Sequence, residues 1–157
     1  MGGHSIPRCA ECGARLDAGR ICRDYFHDLL ALEAQVVGAA GELPHFFAVA
    51  AYNLQHPSEF VPAALLGLRR TLGDVLAGRA TIADARRRAR AAADGSTRVR
   101  RRVDAPMSAE ERPLLQRWPR VWELTVRDVC EVAPLEYAER TRAWATAVVA
   151  ALDAAAV

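Results

Sequence analysis

The stretch CAECGARLDAGRIC, residues 9–22, holds three of the four cysteines and decides how the rest of the chain is interpreted. Cys9 and Cys12 form a C-x-x-C-G pattern with Gly13, and Cys22 follows ten residues after Cys12. Two thiolates at this spacing, followed by a glycine that lets the backbone turn back, are typical of the knuckle that binds tetrahedral zinc. The sequence therefore predicts a zinc knuckle over residues 1–19, with Cys9, Cys12 and Cys22 as ligands.

A redox-active pair is the alternative for Cys9 and Cys12. Such a pair normally follows a strand and opens a helix, whereas short polar turn sequence flanks this one, with Pro7 before it. We expect a cytoplasmic protein, because no stretch approaches the roughly 20 apolar residues of a membrane helix and MGGHSIPRC lacks the apolar run of a secretory signal. A reducing compartment favours a metal site over disulfides.

Composition indicates one globular domain and excludes several chemistries. The 157 residues are 52% hydrophobic and 25% charged, which is ordinary for a globular protein with a single core. All 21 basic residues are arginine. Without lysine, the chain cannot form Schiff bases, anchor pyridoxal phosphate or build a Walker-type phosphate loop.

The rest of the sequence has helical periodicity and almost no strand pattern. Apolar spacing, prolines, glycines and capping residues predict four helices over residues 20–37, 44–56, 58–78 and 81–95. Residues 96–124 contain three prolines and are expected to form an irregular Pro/Arg-rich connection, followed by C-terminal helices over 125–157. The prediction is a single all-α domain, 1–157, built as a small bundle of five or six helices in which 20–95 form a helical hairpin plus two helices.

The fourth zinc ligand must be one of His4, His27, His45 and His56. A short link between the first two helices makes them antiparallel, which places the start of the first beside the end of the second. Counting about 1.5 Å per residue from the link, Cys22 is level with His56. His45 is level with residues 33–36 and far from any cysteine. We therefore predict a closed Cys₃His site made by Cys9, Cys12, Cys22 and His56.

Simpler interpretations exist for the same residues. Cys22 lies on an apolar face and is also explained as a small buried hydrophobic residue. His56, directly before Pro57, is also explained as a residue that caps the end of its helix. Cys130 is expected in the core, and His27 points away from Cys22.

Several segments resemble a family of small uncharacterised bacterial proteins, domain of unknown function 5946. The segments are CAECGA at 9–14, CRDYFHDLLALE at 22–33, HFFAVAAYNLQHPS at 45–58, LTVRDV at 124–129 and YAERTRAWATAV at 137–148. The resemblance implies that Cys9, Cys12, Cys22, His45 and His56 belong to the family pattern, together with Tyr52 and Gln55. Because unpaired polar groups are costly in an interface, His45, Tyr52 and Gln55 are expected to form a buried network supporting His56 or to line a pocket. VPAALLGLRR, residues 61–70, lacks the further histidine of some members, so no second metal site is expected there.

The sequence leaves three functions open. In the first, zinc is structural and the helices form a binding or regulatory module for an unidentified protein or small-molecule partner. The second is a metal-dependent enzyme with a pocket near His45, Tyr52 and His56, with a general base among Asp24, Asp28, Glu33 and His45, although no H-E-x-x-H signature is present.

The third is nucleic-acid binding. Residues 58–103 hold eleven arginines and four acidic residues, a net charge of +7. Eight of these eleven arginines form the cluster that could contact phosphates: Arg86, Arg87, Arg88, Arg90, Arg98, Arg100, Arg101 and Arg102. A solvated arginine-rich face is the simpler explanation, because consecutive arginines spread around a helix and aromatic residues for stacking are absent between 61 and 117.

Overall fold

The computed structural model of the protein describes residues 6–93, 99–102 and 105–157. These residues contain seven α-helices. They are α1 (Cys22–Ala40), α2 (Glu42–Gln55), α3 (Pro62–Leu76), α4 (Ile82–Ala93), α5 (Glu111–Arg117), α6 (Val126–Val129) and α7 (Tyr137–Ala154). Single 3₁₀ turns lie at Pro57–Glu59 and Pro134–Glu136. The all-α prediction is confirmed, and the described residues hold one helix more than the predicted five or six because the short helix α5 lies within the segment expected to be irregular.

Helices α1 and α2 form the expected hairpin. Gly41 is the only residue between them and has φ +70°, in the left-handed region that favours glycine. With so short a link, α2 folds back along α1, and the first turn of α1 comes to lie near the last turn of α2. The hairpin therefore positions Cys22 and His56 at the same end.

The core is built around α2, which packs most extensively against α7 and also against α3 and α1. Alanines at 48, 50 and 51 are buried on α2 and allow close helix approach, while Phe47 and Leu54 fill the spaces between helices. From α7, the buried side chains facing this core include Trp144, Val148 and Leu152. Such burial on several sides makes α2 the rigid element from which His56 projects at its C-terminal end.

The predicted capping boxes are present at two helix starts. Thr81 and Asp84 exchange hydrogen bonds before α4, with the Thr81 N–H donating to Asp84 Oδ2 at 2.7 Å. Thr125 and Asp128 do the same before α6. The predicted end of the fourth helix, Gly95, lies outside the described residues.

The third helix begins later than predicted, at Pro62 rather than at Ser58. A 3₁₀ turn over Pro57–Glu59 comes first, and the backbone N–H of Ser58 donates to Glu11 Oε1 at 2.9 Å. Through this hydrogen bond, Ser58 connects the C-terminal end of α2 to the loop that carries Cys9 and Cys12. Pro62 lies at the start of α3, a position that proline favours.

The amino-terminal segment folds as a tight turn beside this end of the hairpin. Two backbone hydrogen bonds close it, from the Cys9 N–H to the Ala14 carbonyl and from the Leu16 N–H to the Pro7 carbonyl, both at 2.9 Å.

None of the helices within the described ranges combines the length and apolar composition that a membrane crossing requires.

Candidate metal centre

Cys9, Cys12, Cys22 and His56 come together in one cluster, with their ligand atoms all within 4.8 Å of one another. Cys12 Sγ lies 3.4 Å from Cys22 Sγ, and Cys9 Sγ lies 3.7 Å from His56 Nε2. In a tetrahedral zinc site with ordinary bond lengths, two sulfurs are about 3.8 Å apart and a sulfur and a nitrogen about 3.6 Å apart. The cluster therefore has the dimensions of a Cys₃His group that could hold a metal ion.

The first two cysteines are held by a backbone turn of the knuckle type. The Gly13 N–H donates to the Cys9 carbonyl at 2.9 Å, and Gly13 has φ +73°, which side-chain-bearing residues rarely adopt. The backbone of Cys12 lies beside the Cys9 sulfur and contributes to a lowered pKa of that thiol. The turn thus orients the two sulfurs and favours the charged form of Cys9.

Cys22 is the first residue of α1 and is buried. The helix begins there because Asp24 turns back and accepts a hydrogen bond from the Ile21 N–H at 2.8 Å. The positive end of the helix dipole is at this terminus, which favours a thiolate. The third sulfur thus comes from an element rigidly attached to the helical core.

His56 ends α2 and is held in one orientation from two sides. Its Nδ1 lies 2.8 Å from the Tyr52 carbonyl, so Nδ1–H donates there and Nε2 faces the sulfurs. The Tyr52 ring stacks on the imidazole at 4.2 Å and on Phe26 at 4.1 Å. A carbonyl that fixes the tautomer in this way is the usual companion of a metal-binding histidine.

Charge in the cluster is tightly coupled. Hydrogen bonds from Cys12 and Cys22 lower the pKa of Cys9, and the same contacts raise the pKa of Cys22, because the proton removed last leaves against accumulated negative charge. Burial lowers the pKa of His56, but hydrogen bonds with Cys12 and Cys9 outweigh burial and raise it to about 10. The cluster therefore holds protons on Cys22 and His56 that a bound cation would displace.

His45 lies apart from the cluster. Its Nδ1 is 2.8 Å from Glu33 Oε1, and the other carboxylate oxygen of Glu33 accepts the Tyr137 hydroxyl at 2.5 Å. About half of the His45 side chain is exposed. His27 is exposed on α1, and His4 lies outside the described residues.

Gln55 is fully buried and bonds to residues distant in the chain. Its Nε2 donates to the Leu124 carbonyl at 2.7 Å, and its Oε1 accepts the Trp144 indole N–H at 3.2 Å. Next to it, Trp118 Nε1 donates to the Leu54 carbonyl at 2.7 Å. These contacts fix the last turn of α2, and with it His56. The sequence did not predict that Trp118 and Trp144 support the site. The one indication in the sequence is that a buried tryptophan needs a hydrogen-bond acceptor for its indole N–H.

A cleft of about 860 Å³ borders the cluster on the side of Cys9 and Cys12. Its lining includes four arginines, two aspartates and one tryptophan: Arg8, Arg15, Arg120, Arg127, Asp17, Asp128 and Trp122.

Cys130 lies elsewhere and is half-buried, with its thiol donating to the Arg127 carbonyl at 3.6 Å. Burial, with a smaller contribution from Glu131, raises the pKa of Cys130 to about 11.

Most of the arginine-rich region is paired with acidic side chains. The pairs are Arg86–Glu42, Arg87–Asp84, Arg88–Asp74, Arg100–Glu59 and Arg101–Glu111. Arg98 lies outside the described residues. Three of these acids, Glu59, Asp74 and Asp84, are already counted in the net charge of +7, so only Glu42 and Glu111 offset it and the segment stays basic.

The fold and the cluster define an all-α protein with a buried Cys₃His group that could hold a metal ion. The chain belongs to the DUF5946 family, described as a family of unknown function, whose model matches residues 7–153. The resemblance seen in the sequence is thus confirmed. No curated protein and no solved structure matches the chain.

Proposed function

We propose that the protein binds one zinc ion through Cys9, Cys12, Cys22 and His56, and that this ion is structural. The observation that carries the proposal is the convergence of the four ligand atoms within 4.8 Å, with the His56 tautomer fixed by the Tyr52 carbonyl. Three sulfurs and one imidazole are a donor set typical of zinc.

Four protein ligands leave no coordination position open for water or substrate, which is the arrangement of structural zinc sites. The ligands come from three segments: the turn at residues 9–14, the start of α1 and the end of α2. One ion would therefore hold the amino-terminal turn against the helical hairpin. All four cysteines are free thiols, as metal binding in a reducing compartment requires.

On this basis the protein acts as a binding or regulatory module rather than through chemistry at the metal. The zinc would fix the shape of surfaces formed by the turn and the hairpin, including the cleft lined by Arg15, Arg120 and Trp122. The partner is a protein or small molecule that recognises such a surface.

A metal-dependent enzyme is the second candidate, because the 860 Å³ cleft reaches Cys9 and Cys12. That function needs three protein ligands, one water and a nearby general base. His45 and Glu33, two of the bases expected from sequence, are paired with each other away from the cluster. Zinc X-ray absorption separates the two: four S/N neighbours support the structural ion, and an oxygen in the coordination sphere supports the enzyme.

The test of the ligand set is metal analysis of purified variants. Cys12→Ser, Cys22→Ser and His56→Gln are expected to lose zinc, while the matched controls Cys130→Ser and His45→Gln keep one ion per chain. Zinc retained in His56→Gln and lost in His45→Gln would show that the assignment of the fourth ligand is wrong.

A further inference from the structure

A second cleft, of about 440 Å³, lies next to the metal cluster and is lined mainly by arginines. Its residues are Arg23, Ser58, Glu59, Arg100, Arg101 and Arg102. Arg23 follows the ligand Cys22, and Ser58 follows the ligand His56 by two residues. The cleft therefore stands on the same end of the α1–α2 hairpin as the proposed zinc site.

Backbone pairing holds the arginines in place. The segment 99–102 runs antiparallel to residues 59–61, with the Val61 N–H donating to Val99 and the Arg101 N–H donating to Glu59, both at 3.0 Å. The Arg100 guanidinium lies 5.3 Å from the centre of the Phe60 ring. The three consecutive arginines are thus attached to an ordered element rather than to a free surface loop.

The charges around the cleft are unbalanced. Glu59 pairs with both Arg23, at 2.9 Å, and Arg100, at 3.0 Å, while Arg101 reaches Glu111 at 3.3 Å. Arg102 has no ion pair among the described residues. Within residues 6–93, 99–102 and 105–157, these four guanidinium groups thus share two carboxylates.

Arg101 carries side-chain N–H groups that lack hydrogen-bond acceptors among the described residues. Its Nε and Nη2 are buried and have no hydrogen-bond acceptor within the described ranges. Buried donors of a charged group are costly to leave unpaired, so an acceptor that reached this guanidinium would stabilise it.

We propose that this cleft binds a phosphate dianion, either free or as the head of a small phosphate ester. Arginine forks match the oxygens of phosphate and donate two hydrogen bonds at once. The volume is within the range of small-molecule sites, and the exposed Ser58 hydroxyl is a further donor at the rim. This inference rests on the proposed function in one respect: zinc bound by Cys22 and His56 would fix the positions of the nearby residues Arg23 and Ser58.

A small anion fits the cleft better than a nucleic acid does. Phe60, the aromatic ring beside these arginines, is 8% exposed and covered by Arg100, so it offers no face on which a base could stack. Most of the other arginines in the region are already paired, as described above. At the cleft, four arginines lie near two acidic side chains of the described residues, so positive charge is in excess there.

The experiment is calorimetric titration of the full-length, zinc-loaded protein with inorganic phosphate and, separately, with glycerol 3-phosphate. Arg102→Ala is expected to weaken binding about tenfold, as loss of a charge-assisted hydrogen bond does. Glu59→Gln is expected to tighten binding several-fold, because it removes the carboxylate that competes for Arg23 and Arg100. The matched control is Arg90→Ala, an exposed arginine on α4.

Two results would overturn the proposal: zinc-loaded wild type that binds neither inorganic phosphate nor glycerol 3-phosphate, or equal weakening in Arg102→Ala and Arg90→Ala. Binding of a single-stranded oligonucleotide without binding of either phosphate probe would assign the arginines to nucleic acid instead. Binding of the ester but not of phosphate, or the reverse, supports the site and identifies the form it takes. Zinc content measured on each sample separates these outcomes from failure of the metal site.

Discussion

The indole N–H of Trp144 on α7 donates to the amide oxygen of Gln55, the residue that precedes His56. The Gln55 amide nitrogen in turn donates to the Leu124 carbonyl, so one buried side chain connects α2, α7 and the loop before α6. The end of α2 is thereby fixed independently of any metal.

Gln55→Leu is expected to lower the free energy of unfolding by about 1–3 kcal/mol, because it leaves the Trp144 N–H and the Leu124 carbonyl buried without partners. Urea unfolding measures the change. Gln35→Ala, at an exposed position on α1, is the control and should change stability by less than about 0.5 kcal/mol. Equal effects of the two variants would show that the Gln55 bonds contribute nothing specific.

Removal of zinc is expected to release residues 6–20 from the hairpin while α2 and α7 keep their packing. The turn at Cys9–Gly13 is small and partly exposed, whereas the α2–α7 contact is extensive and apolar. Hydrogen exchange with and without a chelator should show loss of protection at residues 9–22 first. Loss of protection across the whole chain at the same chelator concentration would instead show that the ion supports the entire core.

Cys130 should react slowly at neutral pH, because burial raises its pKa to about 11 and the thiolate is the reactive form. The rate of alkylation should rise about tenfold per pH unit toward that pKa. The contribution of Cys130 to stability is complete below its unfolded pKa of about 8.5 and is lost as the pH rises toward 11. Mass spectrometry of iodoacetamide-treated protein, with Cys130→Ala as control, measures the rate; a rate already at its plateau at pH 8 would contradict the prediction.

The Glu33 carboxylate joins α1 to α7 through Tyr137 and to α2 through His45. Burial, together with the hydrogen bond to Glu33, raises the pKa of Tyr137, so the hydroxyl remains a donor throughout the physiological range. A double-mutant cycle of Tyr137→Phe and Glu33→Gln should give a coupling energy of about 1–2 kcal/mol. His45→Gln should cost less, because its side chain is half-exposed. A coupling of zero would show that the hydroxyl–carboxylate bond does not form in solution.

The features that sequence predicted well depend on local chemistry or on regular geometry. The C-x-x-C-G spacing specifies a turn within five residues, and the helical rise from Gly41 places Cys22 level with His56. The capping boxes at Thr81 and Thr125 are likewise local. Each of these needs only residues a few positions apart or a count along a straight helix.

Other features depend on tertiary partners and could not be found this way. Helix α5 has seven residues, too few to show a hydrophobic period. The partners of Gln55 lie 69 and 89 residues away in the chain. The pairing of residues 99–102 with 59–61 joins two segments that have no strand pattern, so the arginine cleft is visible only in the folded chain.

The order of the four cluster residues along the chain has a consequence for biosynthesis. Three sulfurs precede the imidazole, which follows the last of them only after both helices of the hairpin have been made. If the cluster binds zinc as proposed, the three thiolates would be available to the ion before His56, which would join them only when the hairpin closes. Completion of the coordination sphere would then report that the first folding unit has assembled correctly.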